Sequence, residues 1–270
     1  MKKYFYNRAI IFTLLFLCSI SSCDSRSNDK LMRIEGTVKG LRKGTLYLKK
    51  VIDSSFSIID SFVVKGNETF KLSSKIKNPE IFKLELKKDN DDTLNDEIIF
   101  FGSKSKIKIK TRLNTFESSA VIEGSKNNEL LEEFKSMSRK FNIQNLELLK
   151  GYLEAQKKQN KFLIDSFQKR LDNLTKRRYL YTLNFAKSNA DNVISPYLII
   201  SEMSNASASY MDTIAMKMTD DVKKSRYGKL FFEILERNRK VSKWKINYFN
   251  LFNFKMILFN SKLNFSLRFL

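Results

Sequence analysis

The stretch from Ile34 to Gly124 constrains the fold most, because its apolar residues recur at every second position. Lys106-Ile107-Lys108-Ile109-Lys110 alternates strictly, and Phe82-Lys83-Leu84-Glu85-Leu86-Lys87 does the same. Extended backbone sends successive side chains to opposite faces, so each run makes one apolar and one charged face. Between the runs stand Lys39-Gly40, Lys43-Gly44, Lys65-Gly66-Asn67, Asn78-Pro79 and Phe101-Gly102, residues that supply the positive or fixed φ of turns. Strands are predicted at 34–38, 44–51, 57–64, 68–74, 81–87, 97–101, 106–112 and 120–124. Short strands with one wet face imply an antiparallel sandwich or a partly open barrel, in which two sheets cover each other. Gly36 and Gly40 are expected to flank the first turn. Lys65-Gly66-Asn67 is expected to close a hairpin between the third and fourth strands.

After Gly124 the period lengthens. Leu130, Leu131, Phe134, Met137 and Phe141 share one face of a helix, with Ser125 or Asn127 as the expected cap. A second helical stretch is expected from Asn145 to Lys187, broken once, with an apolar stripe at Leu149, Tyr152, Leu153, Leu163, Phe167, Leu171 and Leu174. The spacing drifts too much for a coiled coil and favours a helix hairpin. Ser195-Pro196 has the chemistry of a helix start before Tyr197–Met203. Tyr210–Met218, Thr219–Lys224 and Arg226–Arg239 read as further short helices, whose Ser, Met and Tyr residues are expected to pack and cap.

Chemistry is constrained by what the chain lacks. With no His in 270 residues, the commonest general base and transition-metal ligand are missing. The glycine spacings match no phosphate-binding loop. The acidic cluster Asp89–Glu97 lacks the glycine and the bidentate glutamate of a calcium loop, so a solvated hairpin loop is expected there and no metal. A formal net charge of +21 raises nucleic acid as a partner. The lysines, however, are spread along strands and helices without forming one stripe, and the Lys, Asn, Ile and Phe content fits an AT-rich genome. No nucleic-acid partner is expected; attraction to anionic lipid or polysaccharide is the charge-based alternative.

Both cysteines, Cys18 and Cys23, lie near the N-terminus. A basic segment, Met1–Arg8, precedes an apolar run, Ala9–Leu17, too short to span a bilayer. The run ends in Ile20-Ser21-Ser22-Cys23, which resembles the lipobox of bacterial lipoproteins. The resemblance implies removal of residues 1–22 and lipidation of Cys23, with residues 23–33 as a polar tether. Stable anchoring takes two or more acyl chains.

The order Ile34-Glu35-Gly36-Thr37-Val38, Gly44-Thr45-Leu46-Tyr47-Leu48, Ile59–Phe70 and Val121-Ile122-Glu123-Gly124 also carries a resemblance. It is similar to the uncharacterised N-terminal β-sandwich of lipoproteins in the TlpA/ResA-like (AhpC/TSA) thiol:disulfide oxidoreductase group. Val222–Lys229 resembles the segment that leads into their thioredoxin-like domain. In that group a Trp-Cys-x-x-Cys site would follow, beginning near Val241. This chain has no cysteine after Cys23, so the family's redox activity is not carried over.

The sequence therefore predicts an α+β chain, with an antiparallel β-sandwich at 34–124, a helical region at 125–240 and an atypical basic and apolar tail at 241–270. The tail lacks acidic residues and turn signals, as translation out of frame would give. The expected protein is a non-catalytic lipoprotein of a Gram-negative envelope, without cofactor, that binds or positions a partner. The rival expectation is an accessory subunit in thiol:disulfide exchange, working with a separate thioredoxin-like protein.

Overall fold

The structure is a computed structural model that describes residues 31–52, 55–88 and 96–241. The expected signal segment, Cys23, the expected tether as far as Lys30, most of the acidic cluster and the tail from residue 242 lie outside the described residues.

Eight strands form two four-stranded sheets. They are β1 (Leu31–Lys39), β2 (Lys43–Ile52), β3 (Ser55–Lys65), β4 (Thr69–Lys75), β5 (Glu80–Lys87), β6 (Asp96–Gly102), β7 (Lys106–Arg112) and β8 (Val121–Glu123). Sheet A has the order β4-β1-β7-β8, and sheet B the order β3-β2-β5-β6. Every strand predicted from alternation is present, because the period-two pattern is also the burial pattern: β4 and β7 both bury every second residue. The inward residues form the sandwich core, including Met32, Ile34, Leu46, Leu48, Phe70, Phe82, Phe100 and Ile107. Phe82 and Phe100 stack with ring centroids 6.0 Å apart. Burial of each such side chain stabilises the fold by about 1.5–3 kcal/mol.

The expected antiparallel sandwich is present, with one parallel pairing: β1 runs parallel to β7, with Arg33 opposite Lys106 and Lys39 opposite Arg112. Two other expectations about the sheets need correction. The segment Lys65-Gly66-Asn67 is not a hairpin: β3 and β4 lie in different sheets, and the chain crosses between them with Gly66 at φ 80. Gly36 does not flank a turn but sits inside β1. A Cβ there would collide with the Ile109 carbonyl and the Phe70 ring, so glycine is required for close approach. Gly40, at φ 91, makes the turn on its own.

Sheet B is also covered on part of its outer face. There Ile81 and Phe101 leave the sandwich core and join a second core, built by the helices. These helices are α1 (Lys126–Lys157), α2 (Lys161–Ser188), α3 (Ile194–Glu202), α4 (Ala208–Ala215), α5 (Asp220–Lys224) and α6 (226–241). Leu130, Leu131 and Phe134 of α1 meet Leu183, Phe185 and Ala186 of α2 in that core.

The helix hairpin is present, and its break at 158–160 falls inside the stretch Asn145–Lys187 expected to be broken once; α1, however, runs unbroken through Asn145, where the sequence suggests a new start. Gln159 takes φ 51 there, and the Asn160 side chain caps α2 by accepting from the Leu163 N–H. The expected apolar stripe is only partly packed. Leu174 is buried, whereas Leu149, Leu153 and Leu163 are exposed, because the distal half of the hairpin extends past the core. The α3 helix begins at Ile194, ahead of the expected start, and Ser195 turns inward so that its hydroxyl donates to the Ala186 carbonyl at 2.7 Å.

Candidate functional site

The outward positions of sheet A gather cations that are scattered in the sequence. Pairing places Lys71, Glu35, Lys108 and Glu123 in one row across the four strands. The next rows hold Ser73, Arg33 and Lys106, then Thr69, Thr37, Lys110 and Val121. Lys75 extends the face at one end, while Lys39 and Arg112 extend it at the other. Against these cations the outward positions set only Glu35 and Glu123. Strand alternation enforces this arrangement, since Met32, Ile34, Phe70, Ile107 and Ile109 occupy the inward positions between them.

Lys106 pairs with Glu35 at 2.7 Å. Its hydrogen bond, with added attraction from Lys71 and Lys108, holds the Glu35 carboxyl below the usual carboxylate range. Among the described residues, Arg33, Lys71, Lys108 and Lys110 make no ion pair. The outer face of sheet B differs. There Lys49 pairs with Glu85 at 2.6 Å and Lys83 with Glu97 at 2.5 Å. The expectation that the lysines form no stripe is thus corrected for sheet A: strand pairing makes a cationic face that linear order hides. A cleft of about 390 Å³ near the end of β4 is lined by Lys75 and Lys77, and by Lys50 and Arg226, which both pair with Glu80 at 3.2 and 3.5 Å.

The helices and the sandwich are joined by buried polar contacts. The Asn128 side chain accepts from the Phe101 N–H at 2.7 Å and donates to the Phe101 carbonyl at 2.8 Å. It thereby closes part of the open edge of β6, as another strand would. Asn127 accepts from the Ile194 N–H at 2.9 Å, so neither it nor Ser125 supplies the side-chain cap expected for α1. Arg226 donates to the Val51 carbonyl at 2.7 Å, and the Tyr227 hydroxyl accepts from the Ile81 N–H at 3.0 Å. These Tyr and Asn residues are structural, as the sequence suggested for Tyr227 and, in a different role, for Asn127.

Burial of the Tyr227 phenol, only partly offset by its hydrogen bond from Ile81, pushes its pKa from 10.0 up to about 12. The folded chain therefore keeps a proton that the unfolded chain loses above pH 10. The stabilisation is complete below pH 10 and is lost as pH rises towards 12. Urea unfolding across that window should show a loss on the order of 2 kcal/mol that Tyr227→Phe lacks.

Of the predicted site residues, Cys23 lies outside the described residues. So does the acidic cluster up to Asn95; its described members, Asp96 and Glu97, pair with Lys88 and Lys83. Among the described residues no group of His, Cys, Asp or Glu could hold a metal ion. No helix among them is long and apolar enough to cross a membrane.

Fold and surface together define an α+β protein whose sandwich presents a basic sheet. Residues 32–131 form a DUF4369 domain, a domain of unknown function. The match runs from β1 into the first turns of α1 and so includes Asn127, Asn128 and Leu131. No curated protein matches the chain. Among solved structures, transthyretin from Sparus aurata is similar over 35% of this chain and 97% of its own, at 10% identity and a TM-score of 0.27. A sea bream transthyretin in complex with thyroxine matches 35% of this chain and 96% of its own, at 12% identity and a TM-score of 0.26. A structure titled pT26-6p matches 74% of this chain and 41% of its own, at 11% identity and a TM-score of 0.16. At these TM-scores the likenesses carry no argument.

Proposed function

We propose that this chain is a non-catalytic lipoprotein of a Gram-negative envelope, anchored through Cys23, whose DUF4369 sandwich and helices bind or position a partner. In this reading it corresponds to the front half of a TlpA-like thiol:disulfide oxidoreductase. The observation that carries the binding role is the cationic face of sheet A, whose outward positions set only Glu35 and Glu123 against its lysines and arginines, while Lys49 and Lys83 of sheet B are paired. The lipobox ending in Cys23 supports the anchor. With Cys23 acylated, the mature chain would have no thiolate, the obligatory nucleophile of disulfide exchange.

A second reading, an accessory subunit beside a separate thioredoxin-like protein, is favoured by the exposed apolar residues Ile143, Leu146, Leu153 and Phe162 on the helix hairpin. Leu146 and Leu153 stand seven residues apart and so share one face of α1.

Two measurements test the first reading together. Cys23→Ala should leave the precursor unlipidated, whereas the wild-type chain carries acyl chains. The purified wild-type protein should reduce insulin with dithiothreitol no faster than a protein-free control. Turnover clearly above that control would show a redox enzyme and overturn the non-catalytic reading.

A further inference from the structure

We propose that the outer face of sheet A docks on an anionic phospholipid bilayer, the same membrane that holds the Cys23 acyl chains. The inference rests on the lipid-anchored reading and names the partner of the basic face.

Three features of the molecule carry it. The first is charge complementarity on a broad, pleated surface. Neighbouring strands lie about 4.8 Å apart, and alternate residues along a strand are separated by about 6.8 Å. Both spacings fall within the Debye length of about 8 Å at physiological ionic strength. The fields of Arg33, Lys71, Lys106, Lys108 and Lys110 therefore add, and Glu35 and Glu123 in the same rows offset only two of these charges. A surface of many lipid phosphates meets the excess better than a single small anion would.

The second feature is reach. Fully extended, the chain between Cys23 and Leu31 spans at most about 28 Å. An anchored Cys23 would keep the start of β1 within that distance of the bilayer. The third is where β1 lies. It occupies an inner position of sheet A, starting beside Lys106 at the head of β7 and Lys75 at the end of β4. The end of the molecule nearest the anchor therefore carries Arg33, Lys75 and Lys106. Acyl chains combined with a polybasic patch are a two-signal membrane anchor of established physics.

The test uses the full chain extracted from membranes in its processed form. It is reconstituted into vesicles of phosphatidylcholine and, separately, of equimolar phosphatidylcholine and phosphatidylglycerol. A water-soluble amine-acylating reagent then reports the reactivity of each lysine by peptide mass spectrometry. Lys71, Lys108 and Lys110 should react about fivefold more slowly on the anionic vesicles, the change given by one cation's attraction to such a surface. Lys43 and Lys65, exposed on sheet B, serve as references whose rates should not change. Added salt should remove the protection.

Equal rates for Lys71, Lys108 and Lys110 on the two vesicle types would overturn the proposal. So would protection of these lysines by a soluble anionic polysaccharide while anionic vesicles leave them open, since the partner would then be a glycan. A double variant, Lys108→Gln with Lys110→Gln, alters exposed positions only and should lose most of the protection at Lys71. Full retention of that protection would contradict a shared docking face. The anchor is read independently. A chain that fails to float with neutral vesicles contradicts lipidation, while its rates on anionic vesicles still decide the role of the face.

Discussion

Phe101→Ala is expected to destabilise the protein by about 3–5 kcal/mol, a large share of a typical domain's stability. Phe101 is fully buried at the edge of sheet B, yet its side chain belongs to the helical core. Its ring meets Tyr197 edge-on at 5.2 Å and Tyr227 at 6.2 Å, while its strand neighbour Phe100 points into the sandwich. Truncation leaves a cavity between two layers whose backbones are held by other contacts, so collapse cannot fill it. Urea unfolding followed by tyrosine fluorescence and by circular dichroism should show one shifted transition for both signals. A loss under about 1 kcal/mol would mean that the helices do not depend on this contact.

Asn128→Ala is expected to cost about 2–4 kcal/mol, although it removes no apolar surface. The amide satisfies the Phe101 N–H and carbonyl together in a buried setting, and alanine strands both. Asn128→Asp distinguishes this account from a simple loss of volume. The carboxylate can still accept from the Phe101 N–H but cannot donate to the carbonyl, and burial opposes its charge. Its folded pKa should therefore lie above the unfolded one. The variant should be weakest at neutral pH and recover relative to wild type as pH falls and the protonated acid regains a donor. A deficit independent of pH between neutrality and pH 4 would contradict the paired-bond account. The double variant Phe101→Ala with Asn128→Ala should lose less than the sum of the single changes, because the two residues serve one contact.

Strands were legible from sequence wherever alternation and burial coincide, as in Lys106–Arg112. Their partners were not, because register depends on residues distant in the chain. Nothing local to Ile34 announces that β1 lies parallel to β7, and nothing near Lys71 announces that Glu35 separates it from Lys108. The cationic face was therefore hidden: linear order showed dispersed lysines, and only the order β4-β1-β7-β8 gathers them.

Glycine was legible as a need for special backbone at Gly40. At Gly36 the need is for space against Phe70 and Ile109, which strand pairing alone reveals. Asn127 reads as a capping residue because asparagine before an apolar helical run usually is one, and nothing local gives Asn128 a role. Their true partners, Ile194 and Phe101, lie in other elements. The position of the hairpin break inside Asn145–Lys187 was not legible for a related reason. Gln159 takes the left-handed conformation that glycine or asparagine more often supplies, so no punctuating residue marks it. The exposure of Leu149 and Leu153 followed from helix length, which periodicity does not report.

The central functional claim is that this body is tethered to a membrane through Cys23. Intact-mass and N-terminal peptide mass spectrometry of the membrane-extracted protein tests it most directly. The expected result is a mature chain that begins at Cys23 with a diacylglyceryl group on its sulfur. A chain that begins elsewhere, or that carries an unmodified Cys23 thiol and amine, would contradict it.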